Sequence, residues 1–402
     1  FAVPLLFEVR KLEVLHPSGL ASAPKATGEV RNERVHEGMG KRSAIGKATL
    51  ALVAALLASV PAAGETVTFV TPIAYGTHMP GLGTSALSLA RALNERSEGT
   101  IVLELKEPGD GTAPHEILDK VSDGKVDAGF TTANFWAAKL PAAPLFGGFP
   151  FGPDASGYLA WFERGNGRAL YQEMYDQANL QVHVIPCAFG GAEAGLWSTK
   201  EIKETKDIEG LRVRIFGLGA RVMSRLGAVP ALVAGGQLLK AFEKGQVAAA
   251  ELYTPAVDRA QGLQKALKRI YGPGWHQPAT VLELLVNRDR WEALSKGQQN
   301  LIEETCRDML RSTRAESASL QAAALTILSA EDNVQIMPLP DDVLSDLRAA
   351  WGEIAREEGT RDYFFKEVLE DIAKFEAAEA APRVAPAEAP RDLPQDAAEP
   401  GR

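Results

Sequence analysis

Two rhythms of apolar residues alternate along the chain from Glu65 onward. "TVTFV" (Thr66 to Val70) alternates with period two and is bounded by Pro72, which predicts a strand. In "TSALSLARALNERSEG", Ala86, Leu89, Ala90 and Leu93 recur at helical spacing. Thr84 or Ser85 can cap that helix and Gly99 can end it. "TIVLEL" (Thr100 to Leu105) predicts a second strand, and a helix from about His115 to Ser122 leads through Gly124 to a third strand, "VDAGF". Strand, helix, strand, helix, strand is the rhythm of an α/β layer with a mostly parallel sheet. Towards the C-terminus the period becomes helical. Leu294, Leu301, Ile302, Met309 and Leu310 share one face, and Asp341 opens a further helix through Leu347 and Trp351. A helix that long either braces two lobes or joins two subunits.

One helix–strand link occurs twice. "LDKVSDGKVDAGFTT" begins at Leu118 and "LKAFEKGQVAAAELYT" at Leu239, each with a glycine stop, Gly124 or Gly245, before a strand that starts with valine. Either two similarly built lobes or one large α/β domain produces this pattern. Ligands of open α/β sheets bind beyond the carboxyl ends of strands, which draws attention to Asn134, Arg214 and Glu251.

The two ends read differently. Met39 opens "MGKRSAIGKATLALVAALLASVPAAGETV", with Lys41, Arg42 and Lys47 ahead of an uncharged run and small residues at its close. This predicts a secretory signal peptide over 39–64 and an exported mature protein. Residues 1–38 ahead of it are an extension of doubtful status. Residues 378–402 are rich in proline and lack aromatics, which predicts a disordered tail.

Composition adds exclusions. At 46% apolar and 24% charged residues the chain has enough apolar material for a core, and a net charge of −9 without a basic cluster argues against nucleic-acid binding. Cys187 and Cys306 are the two cysteines; two such distant residues fit a disulfide or two buried thiols. No P-loop, GxSxG or HExxH occurs, so binding is favoured over catalysis.

In "LRVRIFGLGARVM", a strand puts Val213 and Ile215 on one face and Arg212, Arg214 and Phe216 on the other. Arg212 lies near the start of the strand and Arg214 near the cleft end. A guanidinium fork suits a carboxylate, although a surface salt bridge is the plain alternative. GLGARV lacks the third small residue of a dinucleotide fingerprint, so its glycines serve a tight turn into a helix. In "YGPGWHQPATVLELLV", prolines hold Trp275, His276 and Gln277 on a rigid loop. Trp275 can wall a small ligand and Gln277 can hydrogen-bond it, or both can pack the loop. His276 by itself gives no reason to invoke acid–base chemistry.

Together, "PGLGTSALSLARAL", "FTTANFWAAKLPAAPLFGGFPFG", "LWSTKEIKETKDIEGLRVRIFGLGARVMSRLGAVPALVAGG" and "YGPGWHQPATVLELLVNRDRWEAL" resemble the periplasmic solute-binding proteins of tripartite ATP-independent periplasmic (TRAP) transporters, particularly their 2-oxo-acid-binding branch. The resemblance implies a two-lobed periplasmic-binding-protein-like α/β fold with an interlobe cleft and long C-terminal helices. It divides the chain into lobe I (65–186 and 279–330), lobe II (187–278) and a C-terminal helical segment (331–377). It implies a receptor, not an enzyme, that hands a small organic acid to a membrane permease. The ligand set it implies is Arg214, Asn134, Glu193, Glu251, Trp275 and Gln277, with a sodium or calcium ion held by Glu251, Glu193 and Gln277. A homodimer through the C-terminal helix follows from the same likeness. The chain departs from the branch at Leu252 (commonly Trp), Glu193 (Gln), Gln277 (Glu) and Phe216 (Pro). An extracytoplasmic sensor using the same cleft is the alternative, and an exported enzyme a more distant one.

Overall fold

The computed structural model describes residues 66–381. The extension 1–38, the signal-peptide pattern 39–64 and the tail beyond 381 lie outside the described residues. In the first lobe, β1 (Val67–Pro72) and β2 (Ile101–Lys106) pair in parallel across α1 (Gly83–Arg96). Helix α1 forms because Ala86, Leu89 and Leu93 bury one stripe, and Gly99 follows it with φ +82°. Then come α2 (Ile117–Ser122), β3 (Ala128–Thr131), α3 (Pro144–Gly147), α4 (Ala155–Arg164), α5 (Gly167–Gln177) and β4 (Val182–Phe189).

The second lobe contains β5 (Leu196–Ser198), β6 (Arg212–Arg214), α6 (Gly217–Arg225), β7 (Val229–Pro230), α7 (Leu238–Glu243), β8 (Ala249–Ala250), α8 (Pro255–Ala260), α9 (Leu263–Ala266) and β9 (Arg269–Gly272). The chain returns as β10 (Val281–Asn287) and α10 (Arg288–Glu292). The long α11 (Lys296–Ala330), β11 (Gln335–Pro338), α12 (Asp341–Arg361) and α13 (Tyr363–Ala380) complete it. Helix α13 takes in residues 378–380, which the composition had assigned to the tail: Phe364, Phe365, Val368 and Ile372 anchor it in the core, and the alanine-rich end continues the helix.

The sheets are more mixed than the expected parallel layer. One carries β3–β10–β4, with β10 antiparallel to both neighbours, and a parallel bridge from Ile73 to Phe130 ties it to β1. The other has the order β11–β9–β5–β8–β6–β7, with β5 antiparallel to β8 and β9. The physical reason is the route of the chain. Strand β4 ends where β10 begins, with Phe189 paired to Val281, so the chain leaves and re-enters the sheet at the same end of its strands, with β10 in the centre. A strand that starts where its neighbours finish must run against them. Residue 187, the expected start of lobe II, lies within β4.

Helix α11 starts on a capping box, Ser295 with Gln298, and touches both lobes. Its Cys306 is joined by a disulfide to Cys187 on β4, which settles the pairing that spacing left open. Further along, Gln321 accepts from the Ala256 backbone N–H of α8 (3.0 Å) and donates to the Gly190 carbonyl (3.3 Å). Helix α12 pairs with α6 through Arg225 and Glu357 (2.7 Å), and α13 meets α4 where Trp161 Nε1 donates to Asp371 (2.7 Å). Among the described residues no helix is long and apolar enough to cross a membrane.

Candidate functional site

On the short strand β6 Arg212 is exposed, and Val213 and Arg214 are buried, so the two arginines of one face differ: the one at the strand's start meets solvent and the one at its end is enclosed. Arg214, 5% exposed, reaches the strand's carboxyl end. Its Nη1 donates to the Glu251 carbonyl (2.6 Å) and to Glu251 Oε1 (2.7 Å), and its Nε to the Val233 carbonyl (3.3 Å). Nη2 has no hydrogen-bond partner among the described residues. The guanidinium carbon lies 4.1 Å from the ring centre of Phe216. The two glycines have separate tasks. Gly217 turns the chain into α6 at φ +57°, and a Cβ on Gly219 would lie 3.1 Å from the Cβ of His276.

Glu251 follows β8, and its N–H donates to the Arg214 carbonyl (2.9 Å). Glu193 lies on the crossing between lobes, where its N–H donates to the Gln277 carbonyl (3.1 Å). The two carboxyl groups meet at His276, whose Nε2 is 2.8 Å from Glu193 Oε2 and 3.8 Å from Glu251 Oε2. Burial pushes Glu193 up to about 7. Burial, then the neighbouring Glu193, pushes Glu251 up to about 8, against the pull of Arg214. Burial holds His276 below its ordinary value, which favours the neutral imidazole. One donor atom from each residue lies within 4.8 Å of the other two. Two carboxylates and an imidazole are suitable cation ligands.

On the opposite wall, Asn134 sits on a short 3-10 turn, Ala133–Trp136, directly after β3. Its amide donates to Gln277 Oε1 (2.8 Å) and the Gly148 carbonyl (3.2 Å), and Gln277 Nε2 donates to Thr280 Oγ1 (2.8 Å). This turn is anchored from behind. Trp136 Nε1 donates to Glu283 Oε1 (3.2 Å), Tyr175 donates to Glu283 Oε2 (3.0 Å), and Tyr171 donates to the same carboxylate. Burial pushes Glu283 up to about 7 despite these donors.

Arg214, Glu193, Glu251, Asn134 and Gln277 all line one cavity of about 390 Å³. Trp275 does not line it: the indole is 5% exposed and stacks on Phe151 at 5.5 Å. The adjacent His276 takes the inward position: the two are the central residues of a turn closed by the Gln277 N–H donating to the Gly274 carbonyl (3.1 Å), which sends their side chains apart. The side-chain oxygen of Gln277 accepts from Asn134, and its backbone carbonyl from the Glu193 N–H. Sequence reasoning missed His276, Tyr75 and Tyr253, which also line the cavity. The strand-end rule had the signal for both tyrosines, since Tyr75 follows β1 and Tyr253 is two residues past Glu251. A wider surface groove of about 680 Å³ between α6 and α12 is lined in part by Arg225 and Glu353, which pair with each other.

A buried arginine beside a polar cavity at the strand ends of a two-lobed α/β fold suits a ligand receptor. A family model described as "Bacterial extracellular solute-binding protein, family 7" matches residues 80–361, and the chain belongs to that family. It is a periplasmic transport receptor and not an enzyme. A monocarboxylate 2-oxoacid-binding periplasmic protein of Nostoc sp. is 32% identical over 73% of this chain and 80% of its own length. Among solved structures, a TRAP transporter solute-binding protein of Bordetella bronchiseptica with calcium and picolinate has a TM-score of 0.74 at 27% identity, covering 79% of this chain and 94% of the other. One from Pseudoalteromonas atlantica with sodium and pyruvate has a TM-score of 0.73 at 27% identity, covering 79% and 96%.

Proposed function

We propose that the chain binds a small monocarboxylic acid, of the 2-oxo-acid class or close to it, and hands it to a TRAP permease. The observation that carries this reading is Arg214. It is buried at a strand end, and one guanidinium nitrogen is free to meet a carboxylate in the cavity. Asn134 and Gln277 supply polar contacts on the facing wall, while Phe135, Phe216 and Leu218 leave apolar room for a short tail. Arg214 is the cavity's one arginine or lysine, and two carboxyl groups stand beside it. A second carboxylate on the ligand would meet repulsion, which disfavours dicarboxylates.

A cation fits the chemistry of Glu193, Glu251 and His276. When bound it would offset the carboxylate charge and add an attraction for the acid. Glu251 stands between the guanidinium and the imidazole, with Oε1 on Arg214 and Oε2 towards His276. Closure of the lobes needs no covalent step. Contacts made by both walls only in the closed state shift the population towards it. The expected lobe boundaries belong to this reading, with the first crossing moved past Phe189. So does a homodimer through the C-terminal helices, for which the Bordetella bronchiseptica relative, described as a dimer, is the support.

The test is a thermal-shift screen of 2-oxo acids, dicarboxylates and sugar acids, with and without sodium or calcium. At a hundredfold excess over Kd a ligand adds about 2.7 kcal/mol of stability, so the right acid raises Tm by several degrees. A flat response to every acid overturns the reading.

A further inference from the structure

The cavity takes the carboxyl ends of the second lobe's strands, and the opposite end of that sheet carries a different kind of charge. Strands β6, β8 and β9 run one way and β5 runs against them, so the starts of three strands and the finish of a fourth lie together. Arg212 opens β6, Lys244 closes α7 just ahead of β8, Lys268 and Arg269 stand at the start of β9, and Lys200 follows β5. Hydrogen bonds fix their approach. The Thr199 N–H donates to the Ala248 carbonyl (2.9 Å), the Ala248 N–H to the Arg212 carbonyl (2.8 Å), and Arg269 Nη1 to the Thr199 carbonyl (3.2 Å). Lys240 on α7 and Lys265 on α9 add two charges on helices that touch each other.

Most of these cations are unpaired. The side chains of Lys200, Arg212, Lys240, Lys244 and Lys265 are exposed and have no hydrogen bond or ion pair among the described residues. Lys268 and Arg269 donate to backbone carbonyls, those of Asp332 (2.9 Å) and Thr199. The acids nearby are largely engaged: Glu201 pairs with Lys203 (3.1 Å) and Asp332 with Arg259 (2.8 Å), which leaves Glu243 on α7. Elsewhere the arginines and lysines are mostly matched, as Arg221 and Arg225 are with Glu357. A chain of net charge −9 therefore presents one end of one lobe as a positive field.

The kind of partner follows from what surrounds the charges. Protein interfaces centre on apolar and aromatic side chains. Among the described residues at this end the large exposed apolar side chains are Val229 on β7 and Ile336 on β11, and those strands are the opposite edges of the six-stranded sheet. The cations are mainly lysines, point charges on flexible stems that suit a diffuse anionic surface better than one bound carboxylate. Near an anionic bilayer each basic residue adds about fivefold to partition. We infer that this end of the second lobe docks on anionic phospholipid headgroups, holding the receptor at the membrane that contains its permease. The cavity, at the other end of the same strands, stays open to ligand. Two weak contacts, one to lipid and one to permease, then reinforce each other through effective concentration. Neither a bound acid nor an ion in the cleft is required.

Protein recovered from the periplasm is sedimented with vesicles of phosphatidylcholine alone and of phosphatidylcholine mixed with phosphatidylglycerol. Binding to the anionic vesicles alone, weakened by added salt, is expected. Lys200→Glu with Lys244→Glu should lower that partition on the order of tenfold or more. Arg356→Glu with Lys374→Glu changes the net charge equally, at exposed cations of α12 and α13, and should leave it within about twofold, because charges beyond a Debye length are screened. If the first variant does not fold, Lys240→Glu with Lys265→Glu tests the same surface. No partition onto anionic vesicles in low salt overturns the inference, and so does an equal loss in the two charge variants. So does binding to the permease in detergent that the first variant loses while its vesicle partition stays, which would make the patch a protein contact. Vesicle binding by a chain that responds to no acid would sink the ligand reading alone.

Discussion

Arg214 and Glu251 form an ion pair, Nη1 to Oε1 at 2.7 Å, with the two side chains 6% and 8% exposed. The same nitrogen also donates to the Glu251 carbonyl at 2.6 Å, so β6 and β8 are locked together at their carboxyl ends. The arginine therefore has two jobs, holding an acidic neighbour in place and presenting a spare donor to the cavity.

Removing it separates those jobs. Arg214→Gln leaves Glu251 buried without its partner, and loss of one member of a buried pair destabilises by about 3–5 kcal/mol. The raised proton affinity of Glu251 softens this at low pH, where the carboxyl is neutral. Urea melts at neutral pH measure the loss. Acid affinity, read by calorimetry on the folded fraction, should fall on the order of tenfold or more, as for a lost charge-assisted hydrogen bond. Unchanged affinity would remove Arg214 from the ligand site.

Stability should fall as pH rises when no cation is present. Glu193 and Glu251 have folded-state values of about 7 and about 8, above the ordinary 4.5. Between those limits the folded protein keeps protons that the unfolded chain has released, so the stabilisation is lost as pH climbs through the folded values. Glu283, pushed up to about 7, acts in the same sense. His276, lowered from 6.5, acts in the opposite sense below that value. Calorimetric melts in chelator should therefore give a lower Tm near pH 8 than near pH 6. Adding calcium should shrink the difference, because the ion takes the place of the protons. A rising Tm across that window contradicts the electrostatics described.

The disulfide joins β4 to the long helix across 119 residues of sequence. Opening so long a loop in a protein of this kind costs about 2–5 kcal/mol. Reduction, or the double change Cys187→Ala and Cys306→Ala, should lower the midpoint of a urea melt accordingly. Acid affinity of the folded protein should stay within about twofold, since neither cysteine lines the cavity; a change of about twofold in Kd is only about 0.4 kcal/mol.

Glu283 satisfies the polar groups of Tyr171, Tyr175 and Trp136 inside an otherwise apolar core. Glu283→Ala orphans the hydroxyl donors of Tyr171 and Tyr175, while Trp136 Nε1 keeps the Tyr175 oxygen (3.0 Å); at about 1–3 kcal/mol for each one left unsatisfied, it should be among the most destabilising single changes in the chain. Replacing Tyr171 by Phe removes one donor and should cost less. Equal effects of the two substitutions in chemical denaturation would show that the carboxylate does not serve as a shared acceptor.

Most of the first lobe could be read from the chain because its signals are local. The stripe of Ala86, Leu89 and Leu93 and the stop at Gly99 depend on residues a few places apart. The direction of β10, the crossing after Phe189 and the Cys187–Cys306 pair were not legible, because each depends on where a distant segment returns. Arg214, Glu251 and Asn134 could be singled out because strand ends face a cleft. His276 could not, since nothing near it in sequence says that residue 276, and not residue 275, turns inward. By itself, then, the sequence determined the elements, the family and the charged side chains available, all set by short-range periodicity and residue chemistry. Only the tertiary structure decided which of those charges meet, because Glu193, Glu251 and His276 come from three separate loops whose approach is fixed by how two sheets and a long helix pack.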